Sequence, residues 1–235
     1  MTKEKISMEY SNKVIYDKNH WDILTHKRDR AKKILSMFYK EGLNPLVFGS
    51  LARGDVKKSS DIDIIFPDKT PTYKLEIIIE KNGEYIIAKD IIQATPGDTI
   101  KANIYISEQE CLTVPLTKFM KKSFQFYQFG GCLDLDQLLK NERVPGIDKN
   151  LILKIPSKYG HNELDLKNNE LFTSKLLNID MEFILQRIRV LTRRDKVGRT
   201  GVFLHEKLNL EDNFEKVLKN ISDRNSLVRR ILMKD

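Results

Sequence analysis

Cysteine is scarce in this chain. Cys111 and Cys132 are the only two in 235 residues, and they have neither metal-ligand spacing nor a disulfide framework around them. They read as reduced intracellular thiols. No apolar run approaches transmembrane length, and the polar start MTKEKISMEYSNK does not resemble a signal peptide. The expectation is a soluble, cytoplasmic protein with no membrane partner. Internal repeats and low-complexity stretches are also missing. Negative charge is in deficit: 33 acidic residues face 41 basic ones, a formal net charge of +8. Such a balance suits a polyanionic partner, although it also serves solubility. What is present is 40% hydrophobic residues, enough for a real core, in a length that fits one sizeable domain or a catalytic domain with a smaller appendage.

Periodicity organises the first half. Asn19 opens a helix in which Leu24, Ala31, Ile34, Leu35 and Phe38 recur at helical spacing, with Gly42 as its stop. Pro45 leads a short apolar run, Leu46-Val47-Phe48, read as a buried strand ending at Gly49-Ser50. Asp61 to Phe66 reads as a second strand. Thr70-Pro71 and Asn82-Gly83 bracket a helix over Pro71 to Lys81, although Ile77-Ile78-Ile79 also suits a strand. Strands are expected over Tyr85 to Gln93 and Ile100 to Ser107, joined by a turn at Thr95-Pro96-Gly97-Asp98. Lys118 to Lys140 reads as partly helical, interrupted at Gly130-Gly131.

Chemistry concentrates in the stretch V-F-G-S-L-A-R-G-D-V-K-K-S-S-D-I-D-I-I-F, residues 47 to 66. Gly49 permits a tight backbone turn against a phosphate, and Ser50 supplies a hydroxyl and an N–H. A helix beginning there would add the positive end of its dipole. Arg53 either pairs with phosphate or braces the loop. Lys57, beside Lys58, is a solvated loop residue or a triphosphate contact. Asp61 and Asp63, two apart on a strand, share one face. Bare carboxylates that close repel each other, and a divalent cation relieves the repulsion.

This constellation resembles the polymerase-beta-like nucleotidyltransferase superfamily. Its signature of an apolar residue, Gly-Ser, about ten residues and Asp-apolar-Asp is matched by Gly49, Ser50, Asp61 and Asp63. Arg53-Gly54 matches the form of its small, minimal members. The resemblance is firm over Leu46 to Phe66 and extends to about Ser107. It implies an α+β fold, a palm of mixed sheet with flanking helices. It also implies Mg²⁺ or Mn²⁺ as cofactor, a nucleoside triphosphate (ATP foremost) as donor, and in-line transfer of a nucleoside monophosphate with release of pyrophosphate. The family carries a third carboxylate on a later strand. Asp90, within the apolar strand Tyr85 to Gln93, is the leading candidate for that catalytic and metal-binding position. Glu76 replaces it should Lys74 to Glu80 form a strand.

The domain division is expected at residues 141–150, giving a nucleotidyltransferase domain over 1–140 and a basic, mainly helical domain over 141–235. A short strand is read at Leu151 to Ile155 and helix from about Glu170 to Arg194. F-T-S-K-L-L-N-I-D-M-E-F-I-L-Q-R-I-R-V-L-T-R-R resembles a helix-turn-helix, with Ser174 at the small-residue position, Asn178 at the turn, and Gly198 to Leu204 as a wing. On that reading Arg187, Arg189, Arg193, Arg194 and Arg199 face nucleic acid, RNA or DNA. The alternative is a basic helical hairpin closing over the nucleotide. Phe124, Phe126, Tyr127 and Phe129 read as core more readily than as base-stacking residues, and the isolated His161 and His205 as ordinary surface or core histidines. Acceptors stay open: a nucleic-acid end, a small molecule or protein, or none, in a nucleic-acid-binding regulator that has lost activity.

Overall fold

The computed structural model describes residues 11–198 and 201–235; Arg199, one of the candidate nucleic-acid contacts, lies outside them. Helix α1 (Lys18–Tyr39) starts earlier than expected. The cap is Asp17, whose carboxylate accepts the His20 N–H at 2.7 Å, and Asn19 is already helical. The expected apolar stripe is buried along its inner face. Strand β2 (Leu46–Phe48), the single turn α2 (Ser50–Arg53) and strand β3 (Ile62–Ile65) follow.

Helix α3 (Thr72–Lys81) forms where the helical reading put it, with Ile78 and Ile79 buried and Ile77 45% exposed. Its cap differs from expectation. Pro71 precedes the first helical residue, and the end is satisfied from far away: Glu215 accepts from the Thr72 N–H at 3.0 Å and the Thr72 hydroxyl at 2.9 Å. Strands β4 (Ala88–Gln93) and β5 (Lys101–Ser107) come next. A hairpin then returns as β6 (Glu110–Pro115), a strand absent from the sequence reading. Its E-C-L-T-V-P is short and lacks a clear apolar run or alternation, so nothing local marks it. Helix α4 (Lys121–Gly130), strand β7 (Cys132–Leu133) and helix α5 (Leu135–Leu139) complete this half, the break falling at Gly130-Gly131 as expected.

Two sheets result. The mixed seven-stranded sheet runs β11-β4-β5-β6-β3-β2-β7, where β11 is Leu204–Leu208. The second contains β1 (Asn12–Ile15), β10 (Gly160–Asp165), β9 (Ile152–Ser157) and β8 (Gly146–Ile147), in that order. The chain therefore crosses the expected division at residue 140 twice. N-terminal β1 pairs with β10, and β11 returns to pair with β4. Helices α8 (Phe214–Arg224) and α9 (Ser226–Leu232) also send Phe214, Leu218 and Val228 into the first core, beside α1 and α3.

Helices α6 (Glu170–Leu177) and α7 (Met181–Val197) pack on the second core through Ile179, Phe183, Ile184 and Leu191. The chain turns between them at Asn178, the residue expected at the turn. Asn178 takes the left-handed conformation (φ 51°, ψ 49°), which Asn tolerates better than most residues, and the Ser174 hydroxyl donates to the Ile179 carbonyl at 2.7 Å. Of the expected wing, Arg199 and Thr200 lie outside the described residues, and Leu204 at its end pairs with Gln93 in the seven-stranded sheet. Among the described residues, no helix is long and apolar enough to cross a membrane.

Candidate active site

Alternation along the central strands sorts their side chains. Ala102, Ile104 and Ile106 of β5 and Leu112 and Val114 of β6 enter the core under the helices. Lys101, Asn103, Tyr105, Cys111 and Thr113 stand on the other face and are half-buried. Asp63 joins them, opposite Cys111 of β6 on one side and Phe48 of β2 on the other. Asp61, just ahead of β3, is exposed. Burial first, and then the charge of Asp61, pushes the Asp63 carboxyl up to about 6. Among the described residues, no cation counters that shift. A half-buried acid left this way is a signature of a site rather than of stability.

Gly49 stands next to this pair. Its backbone (φ 79°, ψ −142°) lies where only glycine is comfortable, and its N–H donates to the Gly131 carbonyl at 2.9 Å. That close approach explains the Gly130-Gly131 break: the end of α4 packs directly on the phosphate-turn candidate. Ser50 begins α2 and is half-buried. The helix is one turn long, so its dipole adds little to what the local N–H groups offer.

These features form one continuous stretch of chain. Residues 28–119 match the family described as nucleotidyltransferase domain. This stretch is a nucleotidyltransferase domain. Its architecture is consistent with the polymerase-beta-like superfamily, the match running from mid-α1 to just beyond β6. No curated protein and no solved structure matches the chain.

Within the nucleotidyltransferase domain, Arg53 is a brace. Its guanidinium is buried, grips Asp55 at 2.9 and 3.1 Å and donates to the Gly130 carbonyl at 2.7 Å. Lys154 of β9 reaches the same Asp55 at 3.2 Å, so this carboxylate ties the turn to the second sheet. Burial pushes the Asp55 carboxyl up, but Arg53 and Lys154 outweigh it and hold it below the usual range. Lys57 is exposed in the loop, where its backbone N–H donates to Ser60 Oγ at 2.8 Å.

Asp90 does not stand on the strand next to Asp61 and Asp63, which corrects the expectation. β6 and β5 lie between β4 and β3. Three strand spacings separate them, about 14 Å, whereas oxygens sharing one Mg²⁺ each approach it to about 2.1 Å. The buried Asp90 instead accepts from Asn103 Nδ2 at 2.9 Å and the Tyr105 hydroxyl at 3.1 Å, and contacts His205 Nε2 at 3.3 Å. Glu76 sits on α3 and meets Lys89 at 3.4 Å, also away from the pair. Among the described residues, no three His, Cys, Asp or Glu side chains converge as metal ligands.

The residue facing Asp63 from the adjacent parallel strand is Cys111. Burial, followed by the charge of Asp63, pushes its thiol up to about 12, so it is neutral. The sequence reading missed Cys111, Asn103 and Tyr105 as parts of this face. The alternation in K-A-N-I-Y-I-S was their available signal. His205, read as an isolated histidine, was unreadable as a partner of Asp90, since only β11–β4 pairing joins them.

Aromatic residues border the site. Phe48 makes an edge contact with Tyr127 (4.7 Å between centroids), and Tyr127 is buried while Phe126 is 39% exposed. Lys101 Nζ donates to the Tyr127 hydroxyl at 3.2 Å. Arg187 of α7, expected on a nucleic-acid face, lies with its guanidinium 5.1 Å from the Phe126 ring and 5.8 Å from Phe129. Arg189, Arg193 and Arg194 are exposed.

Proposed function

We propose that this chain is a metal-dependent nucleotidyltransferase that moves a nucleoside monophosphate from a nucleoside triphosphate, ATP foremost, to a nucleic-acid hydroxyl. One observation carries the reading. Asp63 stands on the open sheet face, one strand from the Gly49-Ser50 turn and near enough to Asp61 for that charge to raise its carboxyl, and among the described residues no cation counters the repulsion. Hard oxygen donors of this kind suit Mg²⁺ or Mn²⁺. Asp61 and Asp63 would hold the ion, which when bound neutralises phosphate charge and polarises the phosphoryl group.

The chain's own residues divide the remaining work. Gly49 bends the backbone so that Ser50 offers its N–H and hydroxyl to the triphosphate. Arg53 keeps the turn rigid through Asp55. The turn follows β2 on one side of β3, while β6, β5 and β4 extend on the other. A triphosphate tail lying toward the turn leaves the polar strip of Cys111, Thr113, Asn103 and Tyr105 for the remaining reactant. The acceptor hydroxyl gives up its proton to solvent, its oxygen bonds to the α-phosphorus as the bond to the bridging oxygen breaks, and pyrophosphate leaves. Positioning and charge neutralisation supply most of the rate.

A second reading, nucleotide binding without transfer, draws on Cys111, which is neutral where an acid would stand beside Asp63. Incubation with each α-labelled triphosphate, Mg²⁺ and total cellular RNA separates the possibilities. Label in RNA supports the proposal. Label in protein or a small molecule favours the alternative acceptors. No label anywhere, with nucleotide still bound, favours the second reading.

A further inference from the structure

We propose that the outward face of α7, together with Lys167, seats the phosphodiester backbone of a single-stranded nucleic acid; this rests on the nucleic-acid acceptor reading above. Packing settles which side of α7 is free. Phe183, Ile184 and Leu191 are buried in the second core. Arg189, Arg193 and Lys196, at i, i+4 and i+7, are exposed and line a cavity of about 650 Å³ with Lys167 across from them. Three cations thus repeat over about 10 Å of helix, more than one phosphate group occupies.

Three observations distinguish this face from an ordinary solvated one. First, among the described residues none of these four cations has an acidic partner within 4 Å, whereas Lys121 and Lys122 nearby pair with Asp180 and Glu182. The closest acid to Lys167 in the chain, Asp165, accepts its backbone N–H rather than its ammonium. Second, like charges at this helical spacing repel, so the arrangement works against the helix. Compensation of the helix dipole accounts only for cations in the last turn, and Arg189 and Lys167 lie outside it. Third, Thr192 lines the cavity and its Oγ1 is shielded from solvent with no hydrogen-bond partner, so that a change of rotamer is what would turn the hydroxyl toward a phosphate oxygen.

The seat is connected to the candidate active site. Arg187, on another side of α7, packs over Phe126 of α4, and Phe126 and Tyr127 adjoin Phe48, opposite Asp63. Val197 ends α7 six residues before Phe203, whose N–H bonds the Ala94 carbonyl beside β4, so the chain between them spans at most about 20 Å. On this proposal a strand held on this face would run past Arg187 and Phe126 toward the open sheet face. Transfer to a strand end requires a single strand there, which favours it over a duplex.

The test uses the full chain, a fluorescein-labelled single-stranded oligoribonucleotide, and fluorescence anisotropy over a salt series. The triple variant Arg189→Ala, Arg193→Ala, Lys196→Ala should lower affinity and flatten the slope of log K against log salt by roughly 2, about 0.7 for each lost phosphate contact. Lys167→Ala alone should flatten it by about 0.7. The charge-matched control Lys216→Ala, Lys219→Ala, Arg224→Ala on α8 should change neither, and the unaltered melting temperature of the triple variant excludes misfolding. Wild-type slope in the triple variant overturns the seat while leaving the nucleic-acid acceptor standing. Wild-type protein that binds no oligonucleotide at low salt also overturns it, as does equal competition by an acidic polypeptide. Loss of RNA binding in the variant, with α-label entering only a small molecule, upholds the seat and sinks the acceptor reading instead.

Discussion

The two faces of the seven-stranded sheet are made by the same strands and serve opposite ends. On one face, Ala102, Ile104, Ile106, Leu112 and Val114 are buried beneath α1, α3, α8 and α9. On the other, Asn103, Tyr105, Cys111, Thr113 and Asp63 stay polar and half-open. The covered face gains free energy from apolar area removed from water. The open face gives some of it back, because it keeps a half-buried carboxylate whose charge burial opposes. A sheet can hold both because alternation lets each residue be chosen for one face alone.

The sharpest way to separate the faces is Asp63→Asn, which should reduce transfer at least about a thousandfold, as read in the α-label assay, since it removes a charge from the pair that would hold the cation. The same change should stabilise the metal-free protein. The folded carboxyl titrates near 6 against an ordinary 3.8, so this acid's contribution is most favourable below 3.8 and declines as pH rises to 6. In chelator at neutral pH, Asp63→Asn should therefore raise the melting temperature, by an amount worth about 1–3 kcal/mol, and the gain should vanish by pH 4. A lower melting temperature at neutral pH would show that the carboxylate is structural.

Arg53→Ala tests the boundary between the faces. It leaves Asp55 with Lys154 alone, and loss of one partner from a buried pair costs about 3–5 kcal/mol. Chemical denaturation should show that loss. A large rise in the nucleotide KM with unchanged stability would instead return Arg53 to phosphate binding. Ile104→Ala on the covered face should cost about 2–5 kcal/mol, with activity per folded molecule nearly intact. Activity falling far more than the folded fraction would mean that the two faces are coupled. The smallest effect is expected from Asp90→Asn, within about tenfold of wild-type transfer, because a residue three strands from the pair tunes position rather than holding the cation. A loss as deep as that of Asp63→Asn would return Asp90 to the catalytic centre.

Local chemistry made part of this molecule legible. Gly49-Ser50 and Asp61-x-Asp63 announce a turn and a strand face through residue type and spacing, and helix α1 follows from its apolar period. β6 and β11 escaped because E-C-L-T-V-P is short and mixed in character and L-H-E-K-L is short and mostly polar, and both become strands through partners far away in sequence, β3 for β6 and β4 for β11. Asp90 was assigned correctly to a strand and wrongly to that strand's neighbour. A sequence displays the acid within its apolar run, while strand order depends on which segments pair after the chain has folded.

Residue type and spacing alone determined the phosphate-turn candidate and the carboxylate pair, and through the resemblance they carry the α+β class, because glycine's backbone freedom and the two-residue period of strands act within a few residues. Tertiary structure decided the rest: that β6 separates Asp63 from the strands beyond it, that Arg53 is consumed by Asp55, and that the chain from Leu204 onward rejoins the first sheet and its core through β11, α8 and α9. Those outcomes depend on pairing and burial between distant segments, where the free energy belongs to neither segment by itself.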